Sequence, residues 1–136
     1  MVYMLGANVF DIDIIATKAY YDDAASDIRY CSCPSCRNFC ERQRRISYTK
    51  ERFFKSLGIH PEKASVVWAH GPGEEELSQR YMCLYPIVAS AEVYTDVADQ
   101  YEADFSLIEK DFSAAFFVKD GKPYIVVNWT LPWVRP

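Results

Sequence analysis

Cys31, Cys33, Cys36 and Cys40 fall within ten residues, in the run Y-C-S-C-P-S-C-R-N-F-C. Thiolates this close together share a metal ion or exchange electrons with one another. Cys33-Pro34-Ser35-Cys36 is a tight C-P-x-C turn, in which two sulfurs can meet one ion while backbone amides point at them. Cys36 and Cys40 are four apart, so a helix would place them on one face. Cys31, one step before Cys33, belongs to the same short stretch. Cys31, Cys33, Cys36 and Cys40 are therefore the candidate ligands of one zinc ion. His60, His70 and Cys83 are the alternatives to Cys40 for the fourth position.

The same thiols carry a redox reading. A strand, then Cys33-Pro34-Ser35-Cys36, then a helix resembles the active-site segment of thioredoxin-like oxidoreductases. In that resemblance Cys33, at the helix start, is the attacking thiolate and Cys36 resolves the mixed disulfide. Tyr85-Pro86-Ile87 stands in for the proline strand of such proteins, but no closing helix follows residues 113–129. The spacing C-x-C-x2-C-x3-C lies one residue off an iron–sulfur run and lacks its trailing proline. The plainest alternative is a set of small buried side chains at a strand–helix junction.

Residues 37–55 hold seven basic side chains and two acidic ones, a net of +5 in a chain of net charge −4. A basic helix on an acidic body either faces an anion or lies across acidic residues of its own chain. The first case makes a nucleic-acid surface, with Arg42, Arg44, Arg45, Lys50, Arg52 and Lys55 on phosphates. Nearer the thiols, Arg37 is placed to neutralise a metal–thiolate centre and Asn38 to cap backbone groups. Two histidines are too few for most hydrolase constellations, and no G-x-S-x-G, H-E-x-x-H, P-loop or G-x-G-x-x-G occurs. The reading leans away from an enzyme.

At 136 residues the chain suits one domain, 1–136, large enough to build a core without staples. Half of it is apolar, with ten Tyr, eight Phe and three Trp, which excludes a disordered chain. No apolar run approaches the ~20 residues of a membrane-spanning helix. Asp11 and Asp13 interrupt the N-terminal stretch and no basic residue precedes Lys18, so no secretory signal is expected. The expected compartment is the reducing cytoplasm, where five cysteines argue for metal, redox use or burial rather than disulfides. The aromatic excess mostly fills a core, and what remains outside suits a protein partner or a homo-oligomer.

The elements that must hold the thiols follow from periodicity. Phe10, Ile12 and Ile14 alternate with Asp11 and Asp13, predicting a strand over Asn8–Ile15, and Tyr20–Ser26 reads as loop. Asp27–Tyr30 reads as a short strand delivering the chain to Cys31. Phe39, Ile46, Phe53 and Leu57 form a stripe that predicts helix from about 36 to 57, broken where Ser47 or Thr49 can cap a second piece and ended by Gly58. Residues 58–63 read as a turn, Ser65–Ala69 as a strand and His70–Glu76 as a loop. Arg80–Tyr94 is apolar at both parities, a covered strand with an edge, bulge or break at Pro86. Ala103–Glu109 and Ser113–Lys119 read as strands, and Asp120-Gly121 as the hairpin turn into Pro123–Trp129. Leu131-Pro132-Trp133-Val134 is expected to pack down. The sum is an α+β fold, an antiparallel meander with one long or broken helix on one face.

C-x-C-P-x-C-R-N-F (Cys31 to Phe39), L-G-I-x-P (Leu57 to Pro61) and L-P-W-V (Leu131 to Val134) resemble a group of small bacterial proteins of uncharacterised function. That resemblance implies no activity, substrate or cofactor. It joins Cys31, Cys33, Cys36, Arg37 and Asn38 into one unit and sets Cys40 outside it. The sequence thus points first to a non-enzymatic, zinc-stabilised α+β domain acting through protein contact or self-association. A nucleic-acid-binding domain using the basic helix 37–55, and a thiol oxidoreductase using Cys33 and Cys36, are the alternatives.

Overall fold

The computed structural model describes residues 2–5, 8–23, 33–72, 78–89 and 105–133. The readings of Asp27–Tyr30 as strand and of residues 90–104 fall outside these residues, as does Cys31. Of the expected His70–Glu76 loop, residues 73–76 fall outside as well, while residues 70–72 are instead the end of a strand. The described chain is α+β, with three α-helices, a two-stranded sheet and a five-stranded sheet, both antiparallel.

Two strands form the spine of the larger sheet. β4 (Ser78–Pro86) pairs with β7 (Lys122–Pro132) from Ser78↔Pro132 to Pro86↔Tyr124. β3 (Val66–Pro72) flanks β4. β6 (Phe112–Lys119) flanks β7, and β5 (Ser106–Glu109) closes the far edge. The order is therefore β3-β4-β7-β6-β5. The meander expectation holds for β5–β6–β7, but β7 lies between β6 and the earlier hairpin, so the two ends of the sequence share a centre. Asp120 and Gly121 make the β6–β7 turn with φ of 52° and 74°, the positive pair that a two-residue hairpin needs.

The registers arrange the helix-facing side of the sheet in rows. Tyr81, Trp129 and Phe112 form one row; Cys83, Val127 and Ala114 the next; Tyr85, Ile125 and Phe116 the third. The middle row is small, leaving a trough between two rows of bulky side chains. Phe54 spans that trough, with ring centroids 5.1 Å from Tyr85, 5.6 Å from Trp129 and 5.8 Å from Phe112. Phe39 sits at the other end, 5.6 Å from Tyr81 and 5.7 Å from Trp129. All of these rings are buried, and burying each one is worth roughly 1.5–3 kcal/mol.

The helix expected over 36–57 is broken. α2 (Pro34–Arg42) runs into a 3₁₀ turn at Gln43–Arg45, and α3 (Tyr48–Leu57) begins after it. Ser47 caps α3, accepting from the Lys50 amide at 3.3 Å, as its type and position suggest. Gly58 ends α3 with φ of 78°. A Cβ there would stand 2.7 Å from the Ile14 carbonyl oxygen, so glycine is required both for conformation and for the approach of α1.

The N-terminal reading is corrected. Residues 8–15 are not one strand: β1 (Val2–Leu5) and β2 (Asn8–Asp11) make a hairpin, and α1 (Ile14–Asp22) follows at once. Asp13 is the reason, since its carboxylate accepts from the Ala16 amide at 2.9 Å and caps the helix. Thr17 and Tyr21, four apart, are the buried face of α1, and so polar a face gave no helical signal. Phe10 stacks on Phe116 at 4.4 Å, fixing the small sheet to the large one.

Candidate functional site

The thiol turn begins where α2 begins. Cys33 is the N-cap and Pro34 the first helical residue, where a missing N–H does no harm. The Cys36 amide donates to Cys33 Sγ at 3.4 Å. Cys33 is exposed and Cys36 half-buried, so one sulfur faces solvent and the other lies toward the sheet. The N-terminus of a helix favours negative charge, and Cys33 stands at that position.

The turn is tied to the sheet by side chains. The buried Tyr81 hydroxyl donates to the Ser35 carbonyl at 2.7 Å. Asn38, also buried, donates to the Tyr81 oxygen at 3.2 Å and to the Pro132 carbonyl at 3.1 Å. Arg42 donates to the Pro132 and Trp133 carbonyls, both at 2.8 Å. The R-N-F and L-P-W runs, 94 positions apart between Asn38 and Pro132, are thus two halves of one hydrogen-bonded corner. Asn38 caps a backbone carbonyl as its type suggested, that of Pro132 in β7.

The candidate ligands separate. Cys33 and Cys36 share the turn. Cys40 lies one turn further along α2 and is exposed; burial of its sulfur and then the neighbouring Glu41 raise its pKa. Cys83 lies in the small row beneath α2, where Trp129 Nε1 donates to its sulfur at 3.4 Å. Burial pushes the Cys83 thiol up to about 12, with Cys36 adding to the rise, so it is a neutral packing group at ordinary pH. Burial likewise pushes Tyr81 up to about 12, which keeps its hydroxyl a donor. His60 is at the other end of β4, beside Pro61, whose carbonyl accepts from Tyr85. Tyr81 and Tyr85 are roughly 13 Å apart along the strand, so His60 belongs to a different corner. There its Nε2 lies 2.7 Å from Asp22 Oδ1, and the Lys18 ammonium, then His60, holds the Asp22 carboxyl below its ordinary range. His70 sits on β3 with its ring 6.5 Å from Trp68 and its Nε2 buried without a hydrogen-bond partner among the described residues. Among the described residues no three His, Cys, Asp or Glu side chains converge as a metal site, and Cys31 lies outside those residues.

The basic set is partly spent inside the fold. Arg42 holds the end of β7, and Lys50 lies 3.3 Å from Glu109 on β5. Ser47 donates to that same carboxylate at 2.7 Å, and the hydroxyl, then Lys50, holds Glu109 below its ordinary range. Arg45, Arg52 and Lys55 are exposed.

Two features had no signal in the sequence. A cavity of about 380 Å³ opens between α1 and α3, lined by Lys18, Phe54 and His60 among others, and also by Gln43. The Gln43 carboxamide is buried with no hydrogen-bond partner at either atom among the described residues. On the sheet face away from the helices, Val66 is 48 %, Trp68 60 % and Leu107 75 % exposed. Trp68, Met82, Asn128, Ser113 and Leu107 form one row across that face. No helix among the described residues is long and apolar enough to cross a membrane. Compared with family profiles, curated proteins and solved structures, the chain matches none.

Proposed function

We propose that this is a non-enzymatic domain whose thiol turn takes one zinc ion and which acts through contact with a protein partner or a second copy. The observation that carries the metal reading is the Cys36 amide aimed at Cys33 Sγ in a capped turn. Amide-to-sulfur bonds offset the charge that gathers when several thiolates share an ion. Cys33 and Cys36 supply the first two sulfurs, Cys31 is adjacent in sequence, and Cys40 is the nearest further thiol along α2. Zinc supplies no redox chemistry; it cross-links the turn, and its binding energy adds to folding energy. The exposed Val66 and Trp68, together at one edge of the sheet face away from the helices, support the contact half of the proposal, since large exposed apolar side chains side by side mark interaction sites.

The thiol oxidoreductase reading rests on the same exposed Cys33 at a helix N-terminus. It has less support, because every strand pairing among the described residues is antiparallel, whereas thioredoxin-like enzymes set the motif after a parallel strand. The nucleic-acid reading is weakened by the inward commitments of Arg42 and Lys50.

Elemental mass spectrometry of protein purified anaerobically, without a metal affinity step, tests the proposal. One zinc per chain is expected, lost in Cys33→Ser and Cys36→Ser and kept in Cys83→Ser. A metal-free wild-type chain that also takes up no added zinc, with all its thiols titratable, overturns it. Fast alkylation of Cys33 near neutral pH in such a chain would turn the assignment to thiol exchange.

A further inference from the structure

One peptide unit carries two of the bonds that define the thiol turn. The Ser35 carbonyl and the Cys36 N–H belong to the same planar amide. Tyr81 donates to the carbonyl end at 2.7 Å, and the N–H end donates to Cys33 Sγ at 3.4 Å. Because the amide is planar, holding its oxygen fixes where its N–H points. A donor on the carbonyl also polarises the amide and strengthens the bond its N–H makes, as in other hydrogen-bonded chains.

From this arrangement we infer that Tyr81 is a positioning residue of the thiol turn, setting the Ser35–Cys36 peptide so that Cys33 and Cys36 present their sulfurs to one metal ion. Tyr81 touches neither sulfur in this role; it acts through the peptide. Asn38 completes the device. Its amide donates to the Tyr81 oxygen at 3.2 Å, which orients the hydroxyl proton toward Ser35, and to the Pro132 carbonyl at 3.1 Å, which anchors the assembly to β7. Tyr81 lies far from Cys33 and Cys36 in sequence and outside their motif, so only the folded chain brings it to the turn.

The fold supplies its own control. Tyr85, four residues along the same strand, is equally buried and donates to the Pro61 carbonyl at the same 2.7 Å, away from Cys33 and Cys36, and it also bonds to the buried Cys83. Tyr81→Phe and Tyr85→Phe each delete one buried hydroxyl, one bond to a backbone carbonyl and one further side-chain bond, to Asn38 and to Cys83 respectively, so their stability losses should be similar. Only the first should reach the metal.

The inference rests on the zinc reading above, and the experiment separates the two. Zinc affinity is measured by competition with a chromophoric chelator on the wild-type chain, Tyr81→Phe, Tyr85→Phe and Asn38→Ala. Cobalt(II) is added in parallel to read the thiolate-to-metal charge-transfer band. Losing a partner outside the ligand shell typically weakens metal binding by about 10–100-fold. Tyr81→Phe is expected at about tenfold or more, with an altered cobalt band, Asn38→Ala at a smaller loss, and Tyr85→Phe within about twofold of wild type. Equal affinity in Tyr81→Phe and wild type overturns the positioning role. Equal losses in Tyr81→Phe and Tyr85→Phe also overturn it, because the effect then follows stability alone. A wild-type chain that binds neither zinc nor cobalt overturns the metal reading itself, and the positioning role with it.

Discussion

The two ends of β4 are built alike and held differently. Tyr81 and Tyr85 are both buried, point the same way and each reach a backbone carbonyl at 2.7 Å. At the Tyr85 end the fastening combines a close approach of two helices with side-chain bonds to carbonyls, including that of Tyr85 to Pro61. Gly58 admits α1 to the end of α3, and Tyr21 reaches the Pro86 carbonyl at 2.8 Å. At the Tyr81 end the fastening is a set of side-chain bonds to carbonyls, from Asn38, Arg42 and Tyr81 itself. That end also carries the exposed Cys33. Among the described residues the Tyr85 corner carries no exposed cysteine. The corner that ends in the exposed Cys33 is where an added ion would have the most to contribute.

Phe54→Ala should do most to blur the distinction, because Phe54 touches Tyr85 at one end and Trp129 at the other. A loss of about 3–5 kcal/mol is expected in urea unfolding. A loss under about 1 kcal/mol would mean that the two ends do not share a floor. Gly58→Ala strikes the Tyr85 end alone, through a left-handed φ and a 2.7 Å clash with Ile14. It should cost about 2–4 kcal/mol while leaving zinc stoichiometry at the wild-type value. Asn38→Ala strikes the Tyr81 end and leaves the Pro132 carbonyl one donor short, for about 1–3 kcal/mol by thermal unfolding. The smallest effect comes from Glu109. Its carboxyl is held below the ordinary 4.5 by Ser47 and Lys50, so it stabilises the fold above that pH and the contribution is lost as pH falls through the lowered value. Glu109→Gln should therefore lower Tm slightly at pH 7 and not at all at strongly acid pH. A deficit that persists in acid would count against the ion pair.

Elements whose apolar spacing matched one period were legible in advance. The stripe through Phe39, Ile46, Phe53 and Leu57 survived the break at Gln43–Arg45, and the chemistry of Ser47, Gly58 and Asp120-Gly121 named a cap, a helix end and a hairpin. α1 was not legible, because Asp13 continues the strand alternation while acting as a cap, and because its buried face is Thr17 and Tyr21. The insertion of β7 beside β4 was not legible either, since pairing partners far apart leave no local pattern. At the candidate site, residue types showed where the thiols were and that Asn38 would bind backbone. They could not show that Tyr81 meets the Ser35 carbonyl, that Cys83 fills a small-residue trough, or that His60 belongs to the corner with Asp22.

Amide hydrogen exchange across both corners, with zinc and after chelation, tests the central claim most directly. Zinc should slow exchange in α2, from Cys36 through Arg42, and leave α1 and the C-terminal turn of α3 unchanged. Identical exchange in α2 with and without the metal, or protection that rises equally at both corners, would contradict the assignment of the thiol turn as the metal-dependent end of the fold.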